Sequence, residues 1–366
     1  MNGLMTAKQA AEKWNITQRQ VLKLCKENRI EGADRLGFMW TIPADAEKPI
    51  DKRTIRYVKE GKVELKPFIK WAGGKTQLLP EIQKFIPDSG DKVLTKYAEP
   101  MVGGGALLFN VLSKYDFEEL YISDINPELI NCYQVIKSDV ERLISKLLTL
   151  QTEFLSYNTE KRKLFYYNIR TRFNTLQLNN KTSCEKASLF IFLNKTCFNG
   201  LYRVNKKGEY NVPMGDYKNP KICDEKNLMN VAKALQNVVI VCGDYSKSKV
   251  FIDNDTFVYI DPPYRPLTQT ASFTGYQTQD FNDDEQIRLA NFIKEIDKKG
   301  AKVLLSNSDP KNANQEDNFF DDLYNEYKIH RVYATRMINS KGGSRGKISE
   351  LLILSLIHIS EPTRPE

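Results

Sequence analysis

Histidine is nearly absent from this 366-residue chain, which has only His330 and His358, and its six cysteines include no C-x-x-C pair. A zinc site on the usual His and Cys ligands is therefore not expected, and neither is a disulfide framework. No apolar run is long enough for a membrane helix, and nothing at the N-terminus reads as a signal peptide. Internal repeats and low-complexity tracts are also missing. Cysteines without partners suit a reducing compartment, so a cytoplasmic protein is expected. The overall charge excludes little: 54 Lys+Arg against 46 Asp+Glu leave a net of +8. At this length the chain can build more than one core.

The most informative segment is Asp261-Pro262-Pro263-Tyr264, directly after the apolar run Phe257-Val258-Tyr259-Ile260. A short buried strand here ends in an acid, two rigid prolines and an aromatic ring. The prolines fix their own φ and bias Asp261 towards extended geometry, which holds its carboxylate and the Pro262 carbonyl at the strand's carboxyl end. Two such acceptors suit methyl transfer to a planar amine. They favour the pyramidal form of a nitrogen whose lone pair is otherwise delocalised. Tyr264 offers a face on which a base can stack. An ordinary strand-ending Pro turn is the competing reading of the tetrapeptide alone.

A second site lies upstream. Leu94 to Ala98 reads as a strand, followed by Glu99-Pro100-Met101-Val102-Gly103-Gly104-Gly105 and a helix opening Ala106-Leu107-Leu108-Phe109. Strand, glycine loop and helix form a nucleotide-site pattern, because glycine admits close backbone approach and the helix start leaves amides unpaired. Leu120-Tyr121-Ile122-Ser123 then reads as a strand ending at Asp124, about 20 residues on, where an acid binds ribose hydroxyls. A helix cap before Asn126-Pro127 is the alternative role for Asp124.

Phe68 to Thr76 precedes both. Gly74-Lys75-Thr76 resembles the end of a phosphate loop, but Ile69 stands where that loop needs its first glycine, so an ATP site is disfavoured. An adenosyl cofactor without phosphates fits better, with Trp71 lining its pocket and Lys75 pairing with its carboxylate. Otherwise Trp71 is a core aromatic and Lys75 a solvated helix start. Asp244-Tyr245, after Val238 to Val241, is a further adenosine contact or a simple turn, and Asn307-Ser308-Asp309 is equally open.

Charge placement tells more than the total. Between Lys161 and Lys221 stand 13 basic and 3 acidic residues, a net of +10 that exceeds the charge of the whole chain. Phosphate neutralisation is one use and a solvated face the other. Ala187 to Leu193 is apolar enough for a buried helix. Beyond it, Asn205-Lys206-Lys207-Gly208 reads as a hairpin turn in a two-stranded ribbon of the kind that enters a DNA groove.

Taken together, Lys70 to Lys75, Glu99 to Gly105, Ser123-Asp124-Ile125-Asn126 and Asp261 to Tyr264 resemble the Dam-type DNA adenine-N6 methyltransferases. The order of parts resembles the alpha arrangement of that family over about Pro67 to Leu354. The resemblance implies an α/β fold: a Rossmann-like sheet with helices on both faces, plus a mostly helical target-recognition insert with a β-hairpin. It implies S-adenosylmethionine as cofactor, contacted by Trp71, Lys75, Glu99, Gly103, Gly105, Asp124, Ile125, Asp244 and Asp261. It also implies catalysis by Asp261, Pro262, Pro263 and Tyr264 on an adenine displaced from duplex DNA. Reading of GATC would fall to Phe198 and Asn199, which enter the duplex, and to Leu201, Arg203, Asn205 and Pro213 at base edges. Met101 stands where relatives commonly carry Phe, and Asp216 departs as an acid close to phosphate. No metal is expected, since transfer from a sulfonium needs no Lewis acid, and a cognate restriction endonuclease is a candidate partner.

The expected organisation is a module at 1–50, a linker at 51–66, the methyltransferase domain at 67–145 and 235–354, the insert at 146–234, and a tail at 355–366 that is non-native or disordered. In the module, a helix from Thr6, a turn at Trp14 to Thr17, a helix from Gln18 to Asn28 and a strand at Gly37 to Pro43 resemble the winged helix-turn-helix units of excisionases and MerR-type regulators. Arg19, Gln20 and Lys23 would face DNA, with protein contact as the alternative. Two other classes stay open for the whole chain. One is a methyltransferase acting on RNA adenine, a cytosine amine or a protein amide; the other is a DNA-binding regulator with an inactive methylase shell.

Overall fold

In the computed structural model, the described residues are 4–46 and 63–86 except 15–16, 27–29, 31, 38, 45, 72, 74 and 76; 94–265 except 180; 281–335; and 347–355. Most of the expected linker, nearly all of the tail, His358, and Gly74 and Thr76 of the phosphate-loop-like segment lie outside them. The chain divides into two units, Met1–Arg56 and Tyr57–Glu366.

In the first unit β1 (Leu4–Thr6), β2 (Asp34–Leu36) and β3 (Met39–Pro43) form an antiparallel sheet in the order β1-β3-β2, with α1 (Ala7–Trp14) and α2 (Gln18–Lys26). Both helices open with the same device. Thr6 Oγ1 accepts from the Gln9 amide while Gln9 Oε1 accepts from the Thr6 amide, and Thr17 and Gln20 repeat the exchange. Each such box satisfies two amides that a helix start leaves free. Ala10, Val21, Cys25 and Ile42 are the centre of this small core. Arg19 and Lys23 are exposed, whereas the Gln20 side chain is engaged in the second box.

The second unit carries a seven-stranded sheet. Its strands are β4 (Lys96–Glu99), β5 (Glu119–Asp124), β6 (Val238–Cys242), β7 (Thr256–Ile260), β8 (Lys302–Ser308), β9 (Lys328–Thr335) and β10 (Lys347–Leu354). They lie in the order β6-β5-β4-β7-β8-β10-β9, parallel from β6 to β8 and antiparallel at β10 and β9. All five residues of β7 are buried, as a central parallel strand requires. Phe257 and Tyr259 join one apolar core, Val258 and Ile260 the other, so the period-two alternation feeds both faces of the sheet.

The helices described in this unit are α3 (Leu79–Gln83), α4 (Ala106–Lys114), α5 (Pro127–Ser138), α6 (Val140–Ser156), α7 (Thr159–Thr175), α8 (Cys184–Thr196), α9 (Glu225–Ala234), α10 (Asp283–Asp297) and α11 (Phe319–Leu323); α5 packs against β5 and β6, and α10 against β8. Helix α8 contains the expected buried run, is buried on nearly every side, and packs against α5, α6 and α7. An all-round apolar helix is stable only in such a position. Ser355, first residue of the expected tail, still pairs with Val303 of β8.

Candidate active site

The chain runs from β4 outward through β5 to β6, then returns to place β7 on the other side of β4. The loops leaving β4 and β7 therefore diverge, and a crevice opens at their carboxyl ends, the usual ligand position in an open α/β sheet. A cleft of about 630 Å³ is found there. Glu99 to Leu107, Asp124 to Asn126 and Asp261 to Tyr264 all line it, together with Trp71, Gly73 and Lys75. Three separately read segments thus share one site.

On the β7 side, Ser306 of β8 donates to Asp261 Oδ1 at 2.9 Å, and Lys75 Nζ lies 3.3 Å from the same oxygen. Burial pushes the Asp261 carboxyl up, while Lys75 and Ser306 pull against it. The Lys75 side chain is 3% exposed and makes a closer contact, 2.9 Å, with Glu350 Oε2. It also lies 4.2 Å from the centroid of Tyr264, whose hydroxyl donates to Glu350 Oε2 at 2.9 Å. Nothing in the sequence around Glu350 marks it as part of this cluster.

On the β4 side, Gly103 and Gly105 have φ of 48° and 72°. A Cβ on Gly103 would come within 2.9 Å of the Trp71 ring, and one on Gly105 within 2.5 Å of the Tyr133 hydroxyl. Glycine is required here by both backbone conformation and space. Asp124 Oδ2 accepts from the Gly103 amide and Oδ1 from the Asn126 amide, so the acid at the end of β5 holds the glycine loop. The cap of α5 is Asn126, whose Oδ1 accepts from the Leu129 amide. Glu99 is buried and accepts a 2.6 Å hydrogen bond from Tyr97. Desolvation pushes its carboxyl up to about 8. Ile125 is 50% exposed at the rim.

Asp244 lines the same cleft and, like the remaining sequence candidates, also has partners within the protein. Asp244 caps the turn that follows β6 through the Ser246 amide and meets Arg288 of α10 in a two-point ion pair, which holds its carboxyl down at about 2. Asn307 is fully buried and donates to Gln286, which in turn donates to the Pro263 carbonyl at 3.2 Å. Asp309 accepts from Arg331 and Ser349, away from the cleft. Arg288, Gln286 and Ser306 were missed, because nothing in their local sequence separates them from ordinary helix and strand residues.

Residues 71–338 match the family described as D12 class N6 adenine-specific DNA methyltransferase. The chain belongs to that family. Its relatives include the type II methyltransferase M.MjaIII of Methanocaldococcus jannaschii, 54% identical over 80% of this chain and 100% of that protein. The type II methyltransferase M1.LlaDCHI of Lactococcus lactis subsp. cremoris is 38% identical over 81% and 97% of the two chains. A DNA adenine methylase of Vibrio cholerae serotype O1 is 35% identical over 80% and 97%. The protein is thus an adenine-specific DNA methyltransferase.

In this methyltransferase the segment after α8 folds back as a loop pinned by two isolated bridges, Cys197 with Met214 and Val204 with Tyr210, rather than by a continuous ribbon. The expected turn is there, with Gly208 at φ 77°. Phe198 is 52% exposed, Asn199 takes φ 55°, and Arg203 and Pro213 are exposed, while Leu201 is partly covered. Arg203 donates to Asn211, and Asn205 is spent on the turn itself, accepting from the Lys207 and Glu209 amides. Asp216 is exposed. Asn194, at 3% exposure, ties this loop to the segment that precedes Trp71: it accepts from the Lys70 amide and donates to the carbonyls of Lys70 and Gly200. Trp71 stacks on Tyr202 with centroids 5.8 Å apart.

Among the described residues no helix is long and apolar enough to cross a membrane, and no group of three or more His, Cys, Asp or Glu side chains is arranged to hold a metal ion.

Proposed function

We propose that this methyltransferase uses S-adenosylmethionine to methylate N6 of an adenine flipped out of duplex DNA, and that its target is GATC. The carrying observation is the convergence of the glycine loop, Asp124 and Asp261 to Tyr264 on one cleft at the switch point of the sheet. A cleft of that size suits an adenosyl ligand. Each Asp124 oxygen accepts one backbone hydrogen bond and keeps a lone pair for a ribose hydroxyl. Trp71, Glu99, Gly103, Gly105, Asp124 and Ile125 would hold the cofactor, whose sulfonium supplies an electrophilic methyl group.

The chain's own contribution is acceptors, a plate and alignment. Asp261 and the Pro262 carbonyl accept hydrogen bonds from the two N–H groups of the exocyclic amine and raise the electron density on its nitrogen; once the nitrogen has bonded the methyl carbon, with the carbon–sulfur electron pair left on sulfur, its surplus proton passes to Asp261 or water. Tyr264 stacks against the purine, a contact worth roughly 1–3 kcal/mol in other nucleic-acid sites. Lys75, 2.9 Å from Glu350 and 3.3 Å from Asp261, stands beside the acceptor. Phe198 fills the gap left in the duplex and offsets part of the unstacking cost of a few kcal/mol. Arg203, freed from Asn211, suits the paired acceptors of guanine, and Leu201 and Pro213 suit a thymine methyl.

On this reading residues 67–145 and 235–354 carry the chemistry and 146–234 the recognition. Residues 1–50 act as a winged helix-turn-helix presenting Arg19 and Lys23 to DNA. The relatives named type II methyltransferases support protection against a cognate endonuclease. Sequencing of DNA from cells expressing the chain, with detection of methyladenine, tests reaction and target together. Methyladenine confined to GATC is expected. Modification in another context overturns the target, and Asp261→Ala retaining full activity overturns the site.

A further inference from the structure

Lys75 poses a problem for the reading above. Its ammonium is almost fully buried and touches the carboxylate that must receive the target amine. A buried cation with one carboxylate partner would hold that partner in a charge-assisted hydrogen bond and leave fewer lone pairs for the base. The second carboxylate in the cluster resolves this. We propose that Glu350 is a positioning residue for methyl transfer, drawing Lys75 off Asp261 and fixing the ring plane of Tyr264. The proposal rests on Asp261 being the acceptor for the adenine amine.

The geometry favours Glu350 in that competition. Its Oε2 is 2.9 Å from Lys75 Nζ, against 3.3 Å for Asp261 Oδ1. The same oxygen accepts the Tyr264 hydroxyl at 2.9 Å, so one carboxylate sets both the cation and the stacking plate. Glu350 is also rigidly placed. It stands in β10 between two antiparallel neighbours, opposite Ser308 of β8 and Val332 of β9, so its backbone is fixed on both sides and its carboxylate is anchored further by the Tyr264 hydroxyl. Lys75 thereby tilts away from the acceptor while the phenol ring stays face-on to the ammonium.

The test is Glu350→Gln in the full-length protein, assayed for single-turnover methyl transfer to a duplex with one target adenine. The amide can still accept from Tyr264 but no longer attracts Lys75, which turns wholly to Asp261. A kcat about 10–100-fold lower is expected, the usual cost of a small misplacement at a reacting centre, with cofactor affinity and KM for DNA little changed. The acidic limb of the kcat profile should also move to lower pH. The charged and titratable groups around Asp261 are Lys75, Glu350, Glu99 and Tyr259. Losing the Glu350 charge and tightening Lys75 both favour the ionised form.

Glu350→Asp should restore part of the rate. The Lys75→Met, Glu350→Gln double variant should match Lys75→Met alone, because without the ammonium there is nothing to divert. A merely structural Glu350 predicts instead an unshifted limb and additive losses. That result overturns the proposal, as does a Glu350→Gln enzyme with wild-type kcat. If Glu350→Gln does not fold, the comparison of the double variant with Lys75→Met decides: equal rates support the proposal, a further loss overturns it. Failure of the wild-type protein to methylate adenine would instead remove the reading of Asp261 on which the proposal rests.

Discussion

Removing the Ser306 hydroxyl should change both stability and the pH dependence of transfer, each for a separate reason. Ser306 Oγ carries one hydrogen and has three oxygens in reach: Asp261 Oδ1 at 2.9 Å, the Tyr259 hydroxyl at 3.0 Å and the Ile260 carbonyl at 3.5 Å. The charged, near acceptor takes it. The Tyr259 phenol must then donate to Ser306, which makes a relay from phenol to serine to carboxylate. Ser306→Ala strands the phenol on a residue that is 1% exposed, at a cost of about 1–3 kcal/mol for an unsatisfied buried group. It also takes from Asp261 one of the two contacts that oppose desolvation, leaving Lys75 alone. The ionised carboxylate becomes less favoured, so the acidic limb of kcat should move to higher pH, opposite in sign to the shift expected for Glu350→Gln. Denaturant unfolding measures the first effect and single-turnover transfer across the acid to neutral range the second. Ser306→Thr keeps the donor and should keep the limb. A limb that stays put or moves down in Ser306→Ala would refute the assignment of Asp261 as the titrating acceptor.

Three further outcomes follow from the same geometry. Gly105→Ala forces a side chain into a left-handed position 2.5 Å from the Tyr133 hydroxyl, so a loss of about 1–3 kcal/mol and much weaker cofactor binding by calorimetry are expected. Glu99 is raised in the folded protein from 4.5 to about 8, so its stabilising contribution is complete below the unfolded value and is lost as pH rises from 4.5 through 8. Glu99→Gln should flatten the fall of unfolding free energy in that window, and an unchanged slope would show that Glu99 does not titrate there. Phe198→Ala removes a half-exposed ring, so stability should hold within about 0.5 kcal/mol while transfer to duplex DNA falls and transfer to an unpaired target adenine falls less.

Much of the cleft was legible because its parts are local. A β-strand ending in Asp-Pro-Pro-Tyr, a strand running into three glycines, and a strand ending in Asp124 each declare themselves within ten residues. The sheet brings them together by the parallel pairing of β5, β4 and β7. What escaped is long-range. Glu350 meets Lys75 across 275 positions, Ser306 meets Asp261 across 45, and neither Glu nor Ser is unusual in a strand. The Thr-x-x-Gln boxes at Thr6 and Thr17 were present in the sequence as a capping signal. Asn205 shows a role that the resemblance did not include. The resemblance aligns it with a base-edge contact, and in the structure its Oδ1 also accepts from the Lys207 and Glu209 amides and so shapes the tight turn to Gly208.

The separation of the chain into a chemical part and a recognition part is weaker in space than in sequence. Asn194 belongs to α8 of the insert, yet its amide group makes three hydrogen bonds that bind Lys70 and Gly200 together. Gly200 lacks a Cβ where one would sit 2.5 Å from the Lys70 side chain, and Trp71 of the cleft stacks on Tyr202 two residues further along. The exposed tip at Phe198 and Asn199 is therefore joined to the Trp71 wall by close packing and buried hydrogen bonds, without an intervening hinge. Interiors packed this densely transmit displacement instead of absorbing it. If the tip meets DNA as proposed, a shift there would reach Trp71 through these contacts. On the proposed reading, the link between base recognition at Phe198 and Asn199 and the cofactor wall at Trp71 would run through these buried contacts of α8 and not through the surface loops.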